Sequence, residues 1–224
     1  AGFASKIFHL GSLYSLTVNT IPSVISGLKL RRGDLDIQLS LSSNLDLVKK
    51  LKATELDAII VALNETTSGQ EFEHLPMFED DIFLAVNKDS KYVGCDEIDL
   101  SLLKDETFLT LAKGFATRSD SDVVFEKAKI DPKVFLQVSD IFTLISMVSS
   151  GVGFALLPGR ISTIYESSVK LIRLKQEYRI KQEIGLVFLK SKERDPNVLA
   201  LIAECRMFTQ KYNALKAKKG NSPS

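Results

Sequence analysis

The chain has 224 residues, of which 45% are hydrophobic and 25% charged, with a formal net charge of +1 at pH 7. That length allows one large or two small domains of ordinary globular composition. It excludes an overall basic field for nucleic acid or an acidic membrane, and no run approaches the roughly 18 apolar residues of a membrane-spanning helix.

Lys6 to Leu10 reads as a first strand ended by Gly11, with Ser12, Tyr14 and Ser15 at the turn that follows. Ile21, Val24, Ile25 and Leu28 then take helical spacing, and Pro22 inside that pattern should kink or restart the helix. Asp36 to Leu41 alternates strictly, the mark of a strand with one covered face. Ser42, Ser43 and Asn44 offer a second polar turn before a helix marked by Leu45, Val48 and Leu51. Leu56 to Leu63 is apolar after Asp57 and reads as a central buried strand, completing a βαβαβ unit with right-handed crossovers.

Asn64 to Gln70 is a polar loop, and Leu75 to Phe78 is the expected first crossing between two lobes. Asp81 to Val86 is a strand, Asn87 to Asp99 a polar loop, and Thr107 to Leu111 another strand. Ser119 or Asp120 is expected to cap a helix carrying Val123, Val124, Phe125 and Ala128, with Lys133 to Val138 as the next strand.

Ser139 or Asp140 then caps a helix whose Ile141, Leu144, Ile145 and Val148 form one apolar face. Gly151 and Gly153 permit a left-handed exit and a close backbone approach, and Val152 to Leu157 reads as a strand buried on both faces, closed by Pro158. Two further strands follow at Val169 to Leu174 and Ile184 to Leu189. Asp195-Pro196 is a strong helix start, and Val198, Leu201, Ile202, Cys205 and Phe208 mark one face of the closing helix.

The second set of strands and helices mirrors the first. The expected fold is therefore α/β, with two similar lobes of mixed sheet, helices on both faces and a ligand cleft between the lobes. The boundaries expected are 1–76 for the first part of lobe I, 77–176 for lobe II, 177–212 for the return to lobe I and 213–224 for a disordered tail. Four turns can face the cleft: Ser12–Ser15, Ser42–Asn44, Thr117–Ser119 and Phe142–Thr143. Their hydroxyls, amide donors and helix starts suit a carboxylate, and Arg118 can add a charge-assisted bond.

Cys95 and Cys205 lie in dissimilar settings and are expected as free thiols. His9 and His74 are the only histidines, so no metal site, cofactor or His-dependent triad is expected. An enzyme is the weaker alternative, because no base is placed to activate a serine. The N-terminus has no basic region leading into an apolar run, so no secretory signal is expected.

The segment Val148-Ser149-Ser150-Gly151-Val152-Gly153-Phe154-Ala155-Leu156-Leu157-Pro158 resembles a "VxxGxGxxLLP" segment of the effector-binding domains of LysR-type transcriptional regulators. Leu56-Asp57-Ala58-Ile59-Ile60 resembles their "LDxAI" strand, although the usual preceding Gly is replaced by Thr54-Glu55, and Lys88-Asp89-Ser90 stands where they have a "K-x-(H/S)" loop. The resemblance runs from about Lys6 to Tyr212. It implies the two-lobed fold of type-2 periplasmic binding proteins used as an inducer sensor. By position, its pocket candidates are Ser12, Leu13, Tyr14, Ser15, Ser43, Asn44, Ala116, Thr117, Arg118, Ser119, Phe142 and Thr143.

It also implies a cytoplasmic protein that dimerises in this fragment and tetramerises at full length. The family's winged helix-turn-helix and linker helix are missing here, so the chain is expected to be an excised regulatory domain that does not itself read DNA. A narrower resemblance joins Asp105 to Phe108, Gly114 to Arg118, Ser139 to Leu144 and Glu193 to Asn197 to the malonate-utilisation branch, which implies malonate or a related short acid as inducer. A periplasmic solute-binding protein for a small anion would share this fold and cleft chemistry.

Overall fold

A computed structural model describes residues 7–220. Lys6 of the expected first strand and residues 221–224 of the expected tail lie outside them.

The chain begins with β1 (Ile7–Ser12), a short 3-10 turn (Tyr14–Val18) and α1 (Thr20–Arg31). Pro22 sits in the first turn of α1, where no intrahelical N–H is lost, so it follows a restart rather than a kink. Next come β2 (Asp36–Leu41), α2 (Asn44–Lys52) and β3 (Ala58–Ala62). β1 pairs with both β2 and β3 in parallel, as two successive βα units require. β3 is buried throughout.

β2 differs from expectation. Among the described residues it pairs only with β1 at the sheet edge, none of its residues is fully buried, and Leu39 is 39% exposed. In α2 the core positions are Leu47, Val48 and Leu51, and Leu45 turns to solvent.

β4 (Phe72–Asn87) is one continuous strand of 16 residues that takes in both the expected crossing Leu75 to Phe78 and the expected strand Asp81 to Val86. It is followed by β5 (Glu97–Ile98), β6 (Thr107–Leu111), α3 (Ala116–Ala128), β7 (Lys133–Val138), α4 (Ile141–Ser149), β8 (Ala155–Pro158), α5 (Ser162–Tyr165) and β9 (Val169–Leu174). β6 and β7 are parallel, and Phe154 bridges to Phe108 in parallel. β4 holds β8 and β9 antiparallel.

α3 starts at Ala116, three residues before Ser119, and its N-cap is Phe115, whose side chain makes no capping bond. Thr117, Arg118 and Ser119 therefore belong to its first turn. α4 keeps the expected face, with Ile141, Leu144, Ile145 and Val148 all buried. Gly151 takes φ +76°, and a β-carbon on Gly153 would stand 2.8 Å from the Thr107 carbonyl oxygen.

β10 (Lys181–Leu189) and α6 (Pro196–Gly220) close the chain, with β10 antiparallel to β3. Asp195 caps α6 by accepting from the N–H groups of Asn197 and Val198. α6 continues to Gly220, so the tail expected from residue 213 is helical as far as the structure describes it. Ala214 to Lys219 are mostly strong helix formers that extend an established helix without needing a core.

The chain divides into two compact units. One comprises the described residues up to Phe78 and from Glu183 onward, and the other is Glu79–Gln182. The crossings thus fall at 78/79 and 182/183, where the sequence suggested 76/77 and 176/177. The long strands β4 and β10 run through both crossings, so no turn residue marks either one. The core of the second unit gathers Ile82, Leu84, Leu100, Leu103, Val124 and Ile172 around Phe108, whose ring meets Phe125 edge-on at 5.0 Å.

Candidate functional site

In each unit the candidate turns stand at the C-terminal ends of parallel strands, where an open α/β sheet presents helix starts. In the first unit, Ser12 ends β1 opposite Leu41 of β2, and the Ser42 N–H donates to the Ser12 carbonyl at 3.3 Å. The first two turns are therefore neighbours. Ser12 is buried, and its hydroxyl donates to the Leu13 carbonyl at 3.0 Å. Leu13 and Ser15 are buried, whereas Tyr14 is half-buried.

Ser43 caps α2 by accepting the Asp46 N–H at 3.2 Å. Asn44 is buried and braces β3: its amide donates to the Ala62 carbonyl and to Thr66, and its oxygen accepts the Ala62 N–H at 2.9 Å. These bonds tie the start of α2 to the end of β3. The hydrogen bond from Ser42 is the largest of the effects that hold the Asp46 carboxyl below its usual value.

In the second unit, Leu111 of β6 lies opposite Val138 of β7, so the first turns of α3 and α4 are also neighbours. Ala116 and Thr117 are buried, and Ser119 is exposed. Arg118 is spoken for. Its Nε meets both oxygens of Asp122 at 3.0 and 3.1 Å, and its Nη1 donates to the Leu111 carbonyl and to Gln137, each at 3.0 Å. The guanidinium therefore ties together the ends of β6 and β7. In this arrangement Arg118 braces the loop between β6 and α3.

At the start of α4 the Asp140 carboxylate accepts the N–H groups of Phe142 and Thr143 at 3.0 and 3.3 Å and the Thr143 hydroxyl at 2.9 Å. The helix start that the sequence marks as anion-seeking already holds an anion of its own chain.

One buried polar cluster beside the start of α3 had no sequence signal. Gln182, at the start of β10, is buried, and its amide donates to Asp120 at 2.6 Å and to the Thr117 hydroxyl at 3.4 Å. Its oxygen accepts from Arg160 at 2.5 Å, and Arg160 also pairs with Asp80 at 3.3 Å. Burial is the largest influence on Asp80 and raises its carboxyl pKa, with Arg160 pulling the other way. Among the described residues no group of three or more His, Cys, Asp or Glu could hold a metal ion, and no helix is long and apolar enough to cross a membrane.

Two α/β units joined by two strand crossings, with polar turns at their parallel strand ends, define a type-2 periplasmic-binding-protein-like domain. The family model "LysR substrate binding domain" matches residues 2–209, and the chain belongs to that family. It is 42% identical over 95% of its length to a malonate utilization transcriptional regulator of Klebsiella pneumoniae, and spans 70% of that protein. Among solved structures, the effector binding domain of QuiR in complex with shikimate superposes with a TM-score of 0.79 at 21% identity, covering 92% of this chain and 97% of that one. The regulatory domain of CcmR from Synechocystis PCC6803, in complex with 2-PG, gives 0.76 at 18% identity, covering 97% and 99%. The chain is thus the effector-binding domain of a LysR-type regulator.

Proposed function

We propose that the domain senses malonate or a closely similar short dicarboxylate and signals its presence to a DNA-binding head on the same polypeptide. The observation that carries this reading is the 42% identity to a malonate utilization regulator across nearly the whole chain. The chemistry of the turns agrees with it. One carboxylate would be received by the first turn, at Ser12, Leu13, Tyr14 and Ser15 with Ser43 beside it. The other would be received by the starts of α3 and α4, at Ala116, Thr117, Ser119, Phe142 and Thr143. Asn44 and Arg118 hold these turns in place. Two anionic groups on one carbon spacer ask for two sets of donors, and this reading assigns one set to each unit.

Titration calorimetry of the chain with malonate, succinate and acetate tests this. The expected order is malonate tightest and acetate weakest, since losing one carboxylate removes charge-assisted bonds worth roughly 1.5–3 kcal/mol each. No heat with malonate overturns the proposed inducer.

A further inference from the structure

The residues flanking both crossings are anchored, and on one side by a single side chain. Before the first crossing, the Phe78 ring lies 5.8 Å from Phe208 and 4.9 Å from Tyr212 of α6. After the second, the Leu63 N–H donates to the Glu183 carbonyl at 2.8 Å. In the unit Glu79–Gln182, Asp80 stands just after the first crossing and Gln182 just before the second. Arg160 reaches both. Its backbone N–H and Nη1 donate to Asp80 at 2.9 and 3.3 Å, and its Nη2 donates to Gln182 at 2.5 Å. The Arg160 side chain is 10% exposed and that of Asp80 13%, so these bonds are made largely out of water. Gln182 then passes the connection on, through its amide, to Asp120 and Thr117 in the first turn and a half of α3.

We propose that Arg160 and Gln182 are positioning residues that yoke the two crossing strands to the start of α3, so that inducer held at that turn sets the geometry of both crossings. The proposal deepens the malonate reading and rests on it for the ligand step. The physical link is the weakest bond of the chain, the 3.4 Å contact from the Gln182 amide to the Thr117 oxygen. An anion that accepts the Thr117 hydroxyl proton makes that oxygen a better acceptor, which shortens the contact and draws Gln182 toward α3. Gln182 is the last residue before a crossing, and Arg160 carries its displacement to Asp80. A guanidinium fork can hold two partners in fixed directions, which a lysine ammonium on its flexible stem does not.

Amide hydrogen exchange on the intact chain, its Arg160→Met and Gln182→Met variants, and each with malonate, tests both halves. Without ligand, Arg160→Met is expected to speed exchange about tenfold or more in three segments together: 79–83, 181–185 and 116–120. Arg160→Lys, which keeps the charge and loses the fork, shows the same pattern more weakly and serves if the methionine variant does not fold. Acceleration in only one segment overturns the yoke. With malonate, the wild type is expected to slow in all three segments. Gln182→Met is expected to bind malonate within about threefold of wild type while 79–83 stays unresponsive. A wild-type response in Gln182→Met overturns the relay. Absence of any malonate binding to the wild type refutes the inducer reading, and the ligand-free comparison judges the yoke on its own.

Discussion

The Asp140 carboxylate accepts both the backbone N–H and the hydroxyl of Thr143, at 3.3 and 2.9 Å. A residue proposed to meet an anionic inducer is thus already bonded to an anion of the protein. Two consequences oppose each other there. The cap stabilises α4, and its negative charge repels a second carboxylate at the same helix start. Asp140→Asn separates them, because asparagine caps about as well as aspartate without the charge. The expected outcome is malonate binding tightened about tenfold, worth roughly 1.4 kcal/mol, with a melting temperature close to wild type. Unchanged or weaker binding in calorimetry would remove the start of α4 from the site.

The glycines of the turn after α4 make a prediction about stability. A β-carbon at Gly153 would press on the Thr107 carbonyl oxygen at 2.8 Å, and that oxygen belongs to the backbone of β6. Gly153→Ala is expected to destabilise the fold by about 1–3 kcal/mol in urea denaturation, since the strand must shift to make room. Gly151→Ala costs about 1 kcal/mol through its positive φ of 76°. Gly94→Ala, where a β-carbon meets nothing within 4 Å, is the control and stays within about 0.5 kcal/mol of wild type.

The stretch from Asp140 to Pro158 was legible because its signals are local. A cap, an apolar face at helical spacing, two glycines and a buried run each declare themselves within a few residues. α3 was misplaced for the same reason in reverse: Phe115 caps it without a side-chain bond, while Ser119 and Asp120 look like caps and are not. The roles of the site residues were less legible still. Asn44 is committed to Ala62 and Arg118 to Gln137, partners 18 and 19 residues away. Gln182 meets Thr117 across 65 residues, and nothing in the sequence near either one hints at the other. A polar residue at the start of a strand reads as surface until its partners are known.

Two buried or bonded carboxylates make opposite predictions for acid stability. Asp99 accepts the Ser101 hydroxyl at 2.6 Å and the Tyr178 hydroxyl at 3.1 Å. Its pKa is held below the usual 3.8, the Ser101 bond being the largest cause. The folded state therefore favours the charged form, and the stabilisation is full above pH 3.8 and lost as pH falls through the lower folded value. Asp80 has the reverse sign. Burial raises its pKa above 3.8, so its contribution is full below that value and lost as pH rises through the folded one. Equilibrium denaturation from about pH 3 to 6 is expected to show a shallower acid loss in Asp99→Asn than in wild type. In Asp80→Asn the acid loss is expected to steepen, because the opposing contribution is gone. An unchanged profile in either variant rejects the corresponding assignment.

The last prediction concerns self-association. β2 pairs only with β1, and β7 only with β6, so each unit carries an edge strand with unused backbone groups among the described residues. Those edges also carry apolar side chains: Leu39 on β2, and on β7 Val134 and Phe135, the last 73% exposed. Exposed edges of this kind are pairing surfaces, and a symmetric dimer is the common way to cover them. We propose a side-by-side homodimer in which a helix and edge strand of one subunit meet the opposite unit of its mate. Phe135→Glu places a charge where the proposed interface needs an apolar anchor, while the residue's exposure leaves the isolated fold untouched. Analytical ultracentrifugation is expected to show a dimer for the wild type and a monomer of unchanged circular dichroism for Phe135→Glu. Removing a buried aromatic anchor typically costs 2 kcal/mol or more at an interface, which is about a thirtyfold weaker association. A wild-type chain that sediments as a monomer at every concentration rejects the dimer, and a dimer unaffected by Phe135→Glu moves its interface away from β7.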